Sequence, residues 1–177
     1  MSKAVLISIR PKWCELIASG QKTIEVRKTR PKRETPFKCY IYCTKPSFPH
    51  EDFFVFDAWT DKAKAFYGGG KVIGEFVCNS IFPLSFYASD ASFFDTAPPL
   101  PVPGTCLTDK EIAEYLGNGK TGYGWHISNL VIYDEPKQLS EFRRHDPTYD
   151  FSVFGEVCRT YAIQHPPQSW CYVEELG

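Results

Sequence analysis

The stretch Ser19-Gly20-Gln21-Lys22-Thr23-Ile24-Glu25-Val26-Arg27-Lys28 decides how the rest of the chain is read. From Lys22 to Lys28 the side chains alternate with period two, Ile24 and Val26 on one face and Thr23, Glu25 and Arg27 on the other. This predicts a strand with one apolar face and one charged, exposed face, with Lys22 at its entrance. Immediately upstream the period is 3.6: Trp13, Leu16 and Ile17 share a face, and Pro11 takes a first helical position that tolerates its missing N–H. Gly20 stands where a left-handed C-terminal cap is expected. A helix over residues 11–19 is therefore predicted, preceded by a strand over Ala4–Ile9 in which Val5, Ile7 and Ile9 alternate with Leu6 and Ser8.

Downstream, Cys39–Thr44 alternates again and predicts a third strand. Residues 46–70 hold much apolar area without a clean period and read as a loop with a short helix near Thr60–Phe66, ending at Gly68-Gly69-Gly70. Lys71–Ile81 is a β-rich run behind that glycine breaker. Residues 83–107, with Pro98, Pro99 and Pro101, read as an irregular excursion. Thr108 and Glu111 have capping-box spacing for a helix from Asp109 to about Leu116, stopped by Gly117. A strand follows around Ile127–Tyr133, and Tyr161–His165 or Cys171–Glu174 supplies the last. The fold class expected is α+β, a partly closed mixed barrel of five to seven strands with two or three short helices in a single domain over 1–177.

Composition narrows the function classes. With 177 residues, 16% aromatic and 43% hydrophobic, the chain has the material for a packed core, while 14 prolines and 12 glycines imply many turns. Seven cysteines are an odd number, and no apolar signal-like stretch follows Met1. The expectation is a cytoplasmic protein with free thiols rather than a secreted disulfide scaffold. No run reaches the roughly 18 to 20 apolar residues of a membrane span, so no membrane partner is expected.

The net charge of −1 hides an uneven distribution. Residues 1–38 carry ten Lys or Arg against three Glu, and the remainder ten basic against eighteen acidic residues. Positive charge gathered in this way marks an anion-facing surface.

Lys22 can hold a phosphate as a point charge or, desolvated, act as a base. Glu25 can pair with Lys22 or Arg27 or accept from a base edge, and Arg27 offers a planar fork for phosphate. The competing reading is an ion-pair ladder on an exposed strand. Arg27, Lys28, Arg30, Lys32, Arg33 and Lys38, broken by Pro31 and Pro36, form an extended basic loop able to track a phosphate backbone or simply to be solvated. Trp125 and Trp170 are candidates for stacking a base; Trp13, on the apolar face of its helix, is a core residue. Glu75 is a candidate acid or base if it turns into the cleft. No metal is expected: Cys39 and Cys43 share a strand face with Ile41 and read as core thiols. Gly68-Gly69-Gly70 lacks the following Lys-Ser/Thr of a phosphate loop, and no cofactor motif is present.

The order strand, helix, then "SGQKTIEVRK" opening a strand resembles the ASCH family of the PUA-like superfamily. "GGGKVIGEFVC" is similar to the family's glycine-led central strand, and "YGWHISNLVIYDEPKQLSEF" and "PPQSWCYVEE" resemble later segments of phage and prophage members. The resemblance implies a barrel of five or six strands with a cleft beside the Lys-x-x-Glu-x-Arg strand, and RNA or a nucleotide-like ligand as partner. Some relatives are ribonucleases and others deacylate acetylcytidine using a Lys-x-x-Thr pair; here Glu25 stands at the threonine position. The expectation is a binding module with Lys22, Glu25, Arg27, Lys28, Arg30, Trp125 and Trp170 at the ligand. Its alternatives are a hydrolase using Lys22, Glu25 and Glu75, and a phage-encoded protein that targets a host factor.

Overall fold

The computed structural model describes residues 3–45, 53–57, 62–66, 68–86, 101–145 and 160–176. The chain is organised as two compact units, the first made of Met1–Glu15, Lys38–Phe76 and Leu130–Gly177, the second of Leu16–Phe37 and Val77–Asn129.

In the first unit, β1 (Lys3–Ile9) is buried from Ala4 to Ile9 on both faces, as a β-branched run flanked by neighbours on each edge should be. One neighbour is β3 (Phe37–Cys43), which is parallel with Val5 opposite Cys39 and Ile9 opposite Cys43. The other is β12 (Trp170–Glu174), antiparallel with Lys3 opposite Glu174. A parallel neighbour requires a crossover, and the chain makes it through α1 (Pro11–Ala18) and β2 (Ile24–Arg27). Gly20 has the left-handed backbone, φ 75°, that the helix stop demanded. The core of this unit includes Leu6, Tyr40, Tyr42, Val72, Phe142, Ile163 and Val173, with the Tyr40 and Phe142 rings edge to face at 4.9 Å. Cys39, Ile41 and Cys43 are fully buried thiols and core, as their shared face required.

The long strands β6 (Lys71–Ser85) and β9 (Thr121–Lys137) each contribute residues to both units. In the second unit β2 runs antiparallel to β9, with Ile24 opposite His126, Glu25 opposite Trp125, Val26 opposite Gly124 and Arg27 opposite Tyr123. A short pair, β7 (Pro101–Val102) and β8 (Leu107–Thr108), leads into α2 (Asp109–Leu116). The Thr108–Glu111 capping box is formed as the spacing required: Glu111 N–H donates to Thr108 Oγ1 and Thr108 N–H to Glu111 Oε2. The buried face of α2, Ile112 and Leu116, packs with Val26 of β2.

Strand pairing follows the order β12-β1-β3-β6-β9-β2, a mixed sheet accompanied by two helices and a 3-10 turn at Leu139–Glu141. This is an α+β fold. The order has two ends, β12 and β2, so the barrel closure expected from the sequence is not part of the described pairing.

Three expectations change. The helix near Thr60–Phe66 is instead strand β5 (Lys62–Phe66), antiparallel to β4 (Phe53–Asp57). Lys-Ala-Lys-Ala-Phe has good helix formers, but cross-strand pairing overrides weak local propensity. The excursion over 83–107 gives up its two ends to regular structure, β6 reaching Ser85 and β7 beginning at Pro101, while 87–100 lies outside the described residues. The choice of last strand was no choice: residues 160–162 form β11 (Thr160–Ala162), paired with β10 (Arg143–His145), and Trp170–Glu174 forms β12.

Candidate functional site

β2 keeps the alternation read from its sequence, but its charged face is not exposed. Lys22, Glu25 and Arg27 retain 2%, 6% and 7% of their accessible surface. Glu25 sits between the two cations, Oε2 3.4 Å from Lys22 Nζ and Oε1 3.0 Å from Arg27 Nη2. Lys22 Nζ also donates to the Ile24 carbonyl at 2.9 Å and to the Thr105 carbonyl at 2.7 Å. Three acceptors thus surround an ammonium that has three N–H donors. The exposed ladder of the competing reading is a buried one, and a buried carboxylate between two cations differs in kind from a surface pair.

The turn between β7 and β8 binds the start of this strand. Gly104 has φ 73°, and its carbonyl accepts from the N–H groups of both Thr23 and Ile24 at 2.8 Å. A Cβ there would stand 2.6 Å from Thr23 Oγ1, so glycine is required by both conformation and space. Thr105 is fully buried; its hydroxyl donates to Val102 O at 2.8 Å and accepts from Leu107 N–H at 3.1 Å. That self-bonded turn holds the Thr105 carbonyl toward Lys22.

The β2–β9 register sets an aromatic ring opposite each charge, Trp125 opposite Glu25 and Tyr123 opposite Arg27. Trp125 has no exposed surface and meets the Phe37 ring edge-on at 6.0 Å. As folded here it is a core residue and presents no face to a ligand, contrary to the stacking role expected from its glycine-flanked position. Trp170 belongs to the first unit, half-buried on β12 with its ring edge-on to Tyr172 at 5.5 Å.

Beyond Arg27 the chain becomes exposed. Lys28 and Arg30 reach the surface, and each lies over a ring: Lys28 Nζ is 5.2 Å from the Tyr115 centroid, and Arg30 Cζ is 5.9 Å from that of Tyr123. Arg33 lies 6.0 Å from the Phe37 ring, and the buried Pro31 ties the loop down between them. The basic stretch is therefore a surface held on aromatic supports rather than a free tail. Sequence reading missed Gly104, Thr105, Tyr115 and Tyr123; for Tyr123 the signal was the Gly-Tyr-Gly-Trp run, whose period two pairs it with Trp125.

Glu75 lies in the first unit. Its Oε2 accepts from the Tyr133 hydroxyl at 2.6 Å and its Oε1 is 3.1 Å from Lys38 Nζ, which also reaches Glu175 at 3.6 Å. The hydrogen bond to Glu75 raises the Lys38 ammonium above its ordinary range, against a smaller opposing effect of burial. Burial, and then the same carboxylate, push the Tyr133 phenol far up. This unit also holds an open groove of about 470 Å³ lined by Tyr42, Lys45, Gln138, Gln164 and His165 among others. None of the residues expected at a ligand from the sequence lines it. Among the described residues no three His, Cys, Asp or Glu side chains gather as a metal site. No helix among them is long and apolar enough to cross a membrane.

Residues 7–82, which include α1, β2 and the Lys22–Arg27 face, match the ASCH domain family. No curated protein matches the sequence. Among solved structures, a tyrosine-to-phenylalanine variant of the ASCH protein from Zymomonas mobilis superposes with a TM-score of 0.57 at 16% identity, covering 98% of this chain and 92% of that one. The ASCH structure from Zymomonas mobilis gives 0.55 at 16% identity, covering 97% and 88%, and a serine-to-alanine variant gives 0.56 at 15%, covering 97% and 89%. By sequence residues 7–82 are similar to the ASCH domain family, and by structure the chain shares the fold of the ASCH protein from Zymomonas mobilis along nearly its whole length.

Proposed function

We propose that the second unit is a binding module for RNA or a nucleotide-like ligand, with the β2 strand as its electrostatic base. The observation that carries this reading is the exposed basic run that follows the buried cluster, in which Lys28 and Arg30 each lie over an aromatic ring. Lys28, Arg30 and Lys32 all bring positive charge to the surface. Lys22, Glu25 and Arg27 then act by fixing the strand and its field, and Lys28 and Arg30 act by contact with phosphate.

The likeness to an RNA-binding type of fold agrees with this. A hydrolase in the same place finds less support. Both Glu25 oxygens are engaged by cations, and three acceptors surround the Lys22 ammonium. Glu75 is likewise held by Lys38 and Tyr133.

Fluorescence polarisation with a labelled single-stranded RNA, titrated over a range of salt, tests the proposal. Affinity should fall with salt, and Lys28→Ala with Arg30→Ala should reduce the slope of log K against log salt by about one to two units. Binding that is absent at low salt, or a slope untouched by the double variant, overturns it.

A further inference from the structure

Of the two tyrosines beneath Lys28 and Arg30, Tyr115 is exposed and Tyr123 half-buried. On α2 the buried face is Ile112, Ala113 and Leu116, whereas Tyr115 keeps 42% of its surface exposed. A large ring exposed to this degree stabilises the unit little, since its apolar area stays in water. Tyr123 is half-buried on β9, next to the edge strand β2. Each ring carries a cation 5 to 6 Å from its centroid, Lys28 on Tyr115 and Arg30 on Tyr123.

Charge and ring therefore alternate along the surface just past the buried cluster, with the cations held in place by the rings. Cations hold phosphates at any sequence, and a neighbouring π-face takes a base only where that base is unstacked. The combination fits a single strand and not a duplex, whose bases are already stacked.

We propose that Tyr115, Lys28, Tyr123 and Arg30 form a subsite for single-stranded nucleic acid, with the Tyr115 ring stacking a base and Lys28 and Arg30 binding the flanking phosphates. This rests on the RNA-binding reading above and adds to it the strandedness of the ligand and the residue that meets the base. Tyr123, less exposed, serves mainly to aim Arg30.

The two contributions separate in salt titrations of the whole chain with a labelled oligouridine. Tyr115→Ala should weaken binding about 5- to 100-fold at every salt concentration with the slope unchanged, because stacking releases no counterions. Tyr115→Phe should bind like the unaltered protein, since it keeps the π-face. Lys28→Ala should reduce the slope by about one unit. A backbone of abasic residues should bind the unaltered protein and Tyr115→Ala equally, and a duplex of the same length should compete poorly. Circular dichroism of Tyr115→Ala, expected to match the unaltered protein, shows that any loss is not unfolding.

If Tyr115→Ala binds oligouridine as tightly as the unaltered protein while Lys28→Ala weakens it, the stacking subsite is overturned and the RNA-binding reading stands. If the unaltered protein binds neither oligouridine nor the abasic strand, both fall. Equal affinity for duplex and single strand overturns the choice of ligand.

Discussion

Replacing Glu25 by glutamine removes the carboxylate charge between Lys22 and Arg27 while preserving shape. At 3.4 and 3.0 Å, each ion pair is worth about 5 kcal/mol in gross Coulomb energy at an effective dielectric of about 20. The glutamine oxygen retains one acceptor, and some water will enter, so the net loss is smaller than the gross sum. Breaking a buried ion pair by removing one partner costs about 3–5 kcal/mol. For a chain of this length that corresponds to a fall in Tm of about 6–20 °C. Urea unfolding followed by fluorescence and circular dichroism measures it directly, the midpoint falling with little change in slope. The triple variant Lys22→Met, Glu25→Leu, Arg27→Met, which removes every charge of the cluster, should lose less than Glu25→Gln alone. A Glu25→Gln protein within about 1 kcal/mol of the unaltered one would refute the reasoning, because it would mean that water screens these pairs.

Gly104→Ala should cost about 1–2 kcal/mol from the left-handed backbone at φ 73°, with a further loss from the 2.6 Å approach to Thr23 Oγ1, read as a lower urea midpoint. Thr108→Ala removes the side-chain half of the capping box and should cost about 1 kcal/mol by the same measurement. Tyr133 links stability to alkaline pH. Its folded-state value is raised by burial and then by Glu75, so the full contribution is present below the unfolded value of about 10. As pH rises past that point the unfolded chain releases its proton while the folded one keeps it, and stability falls by up to about 1.4 kcal/mol per pH unit. Urea midpoints compared between about pH 9 and 11 should fall less steeply in Tyr133→Phe, even though that variant starts less stable. Burial pushes the Cys78 thiol up to about 12, so a thiol-specific reagent at neutral pH should modify the half-exposed Cys106 well before Cys78, as peptide mapping will show.

Much of the fold was legible because it rests on local physics. The Thr108–Glu111 spacing foretold both the cap and the extent of α2, and Gly20 foretold the left-handed stop of α1. The alternation of Ile24 and Val26 with Glu25 and Arg27 foretold the two faces of β2, and Val26 does pack on α2. Where local preference was weak, partner choice prevailed: Lys62–Phe66 took strand rather than helix because Phe53–Asp57 is there to pair with it.

The chain by itself determined which residues of β2 share a face; only the tertiary structure decided what covers each face. Periodicity follows from the geometry of a strand and is readable in six residues. Burial follows from contacts made far along the chain: Thr105 binds Lys22 across 83 positions, and Trp125 pairs with Glu25 across a hundred. For that reason Lys22, Glu25 and Arg27 read as an exposed charged set in sequence and stand in the fold as a closed cluster. The surface role passes to Lys28 and Arg30, held on Tyr115 and Tyr123 by rings that no local pattern could have assigned to them.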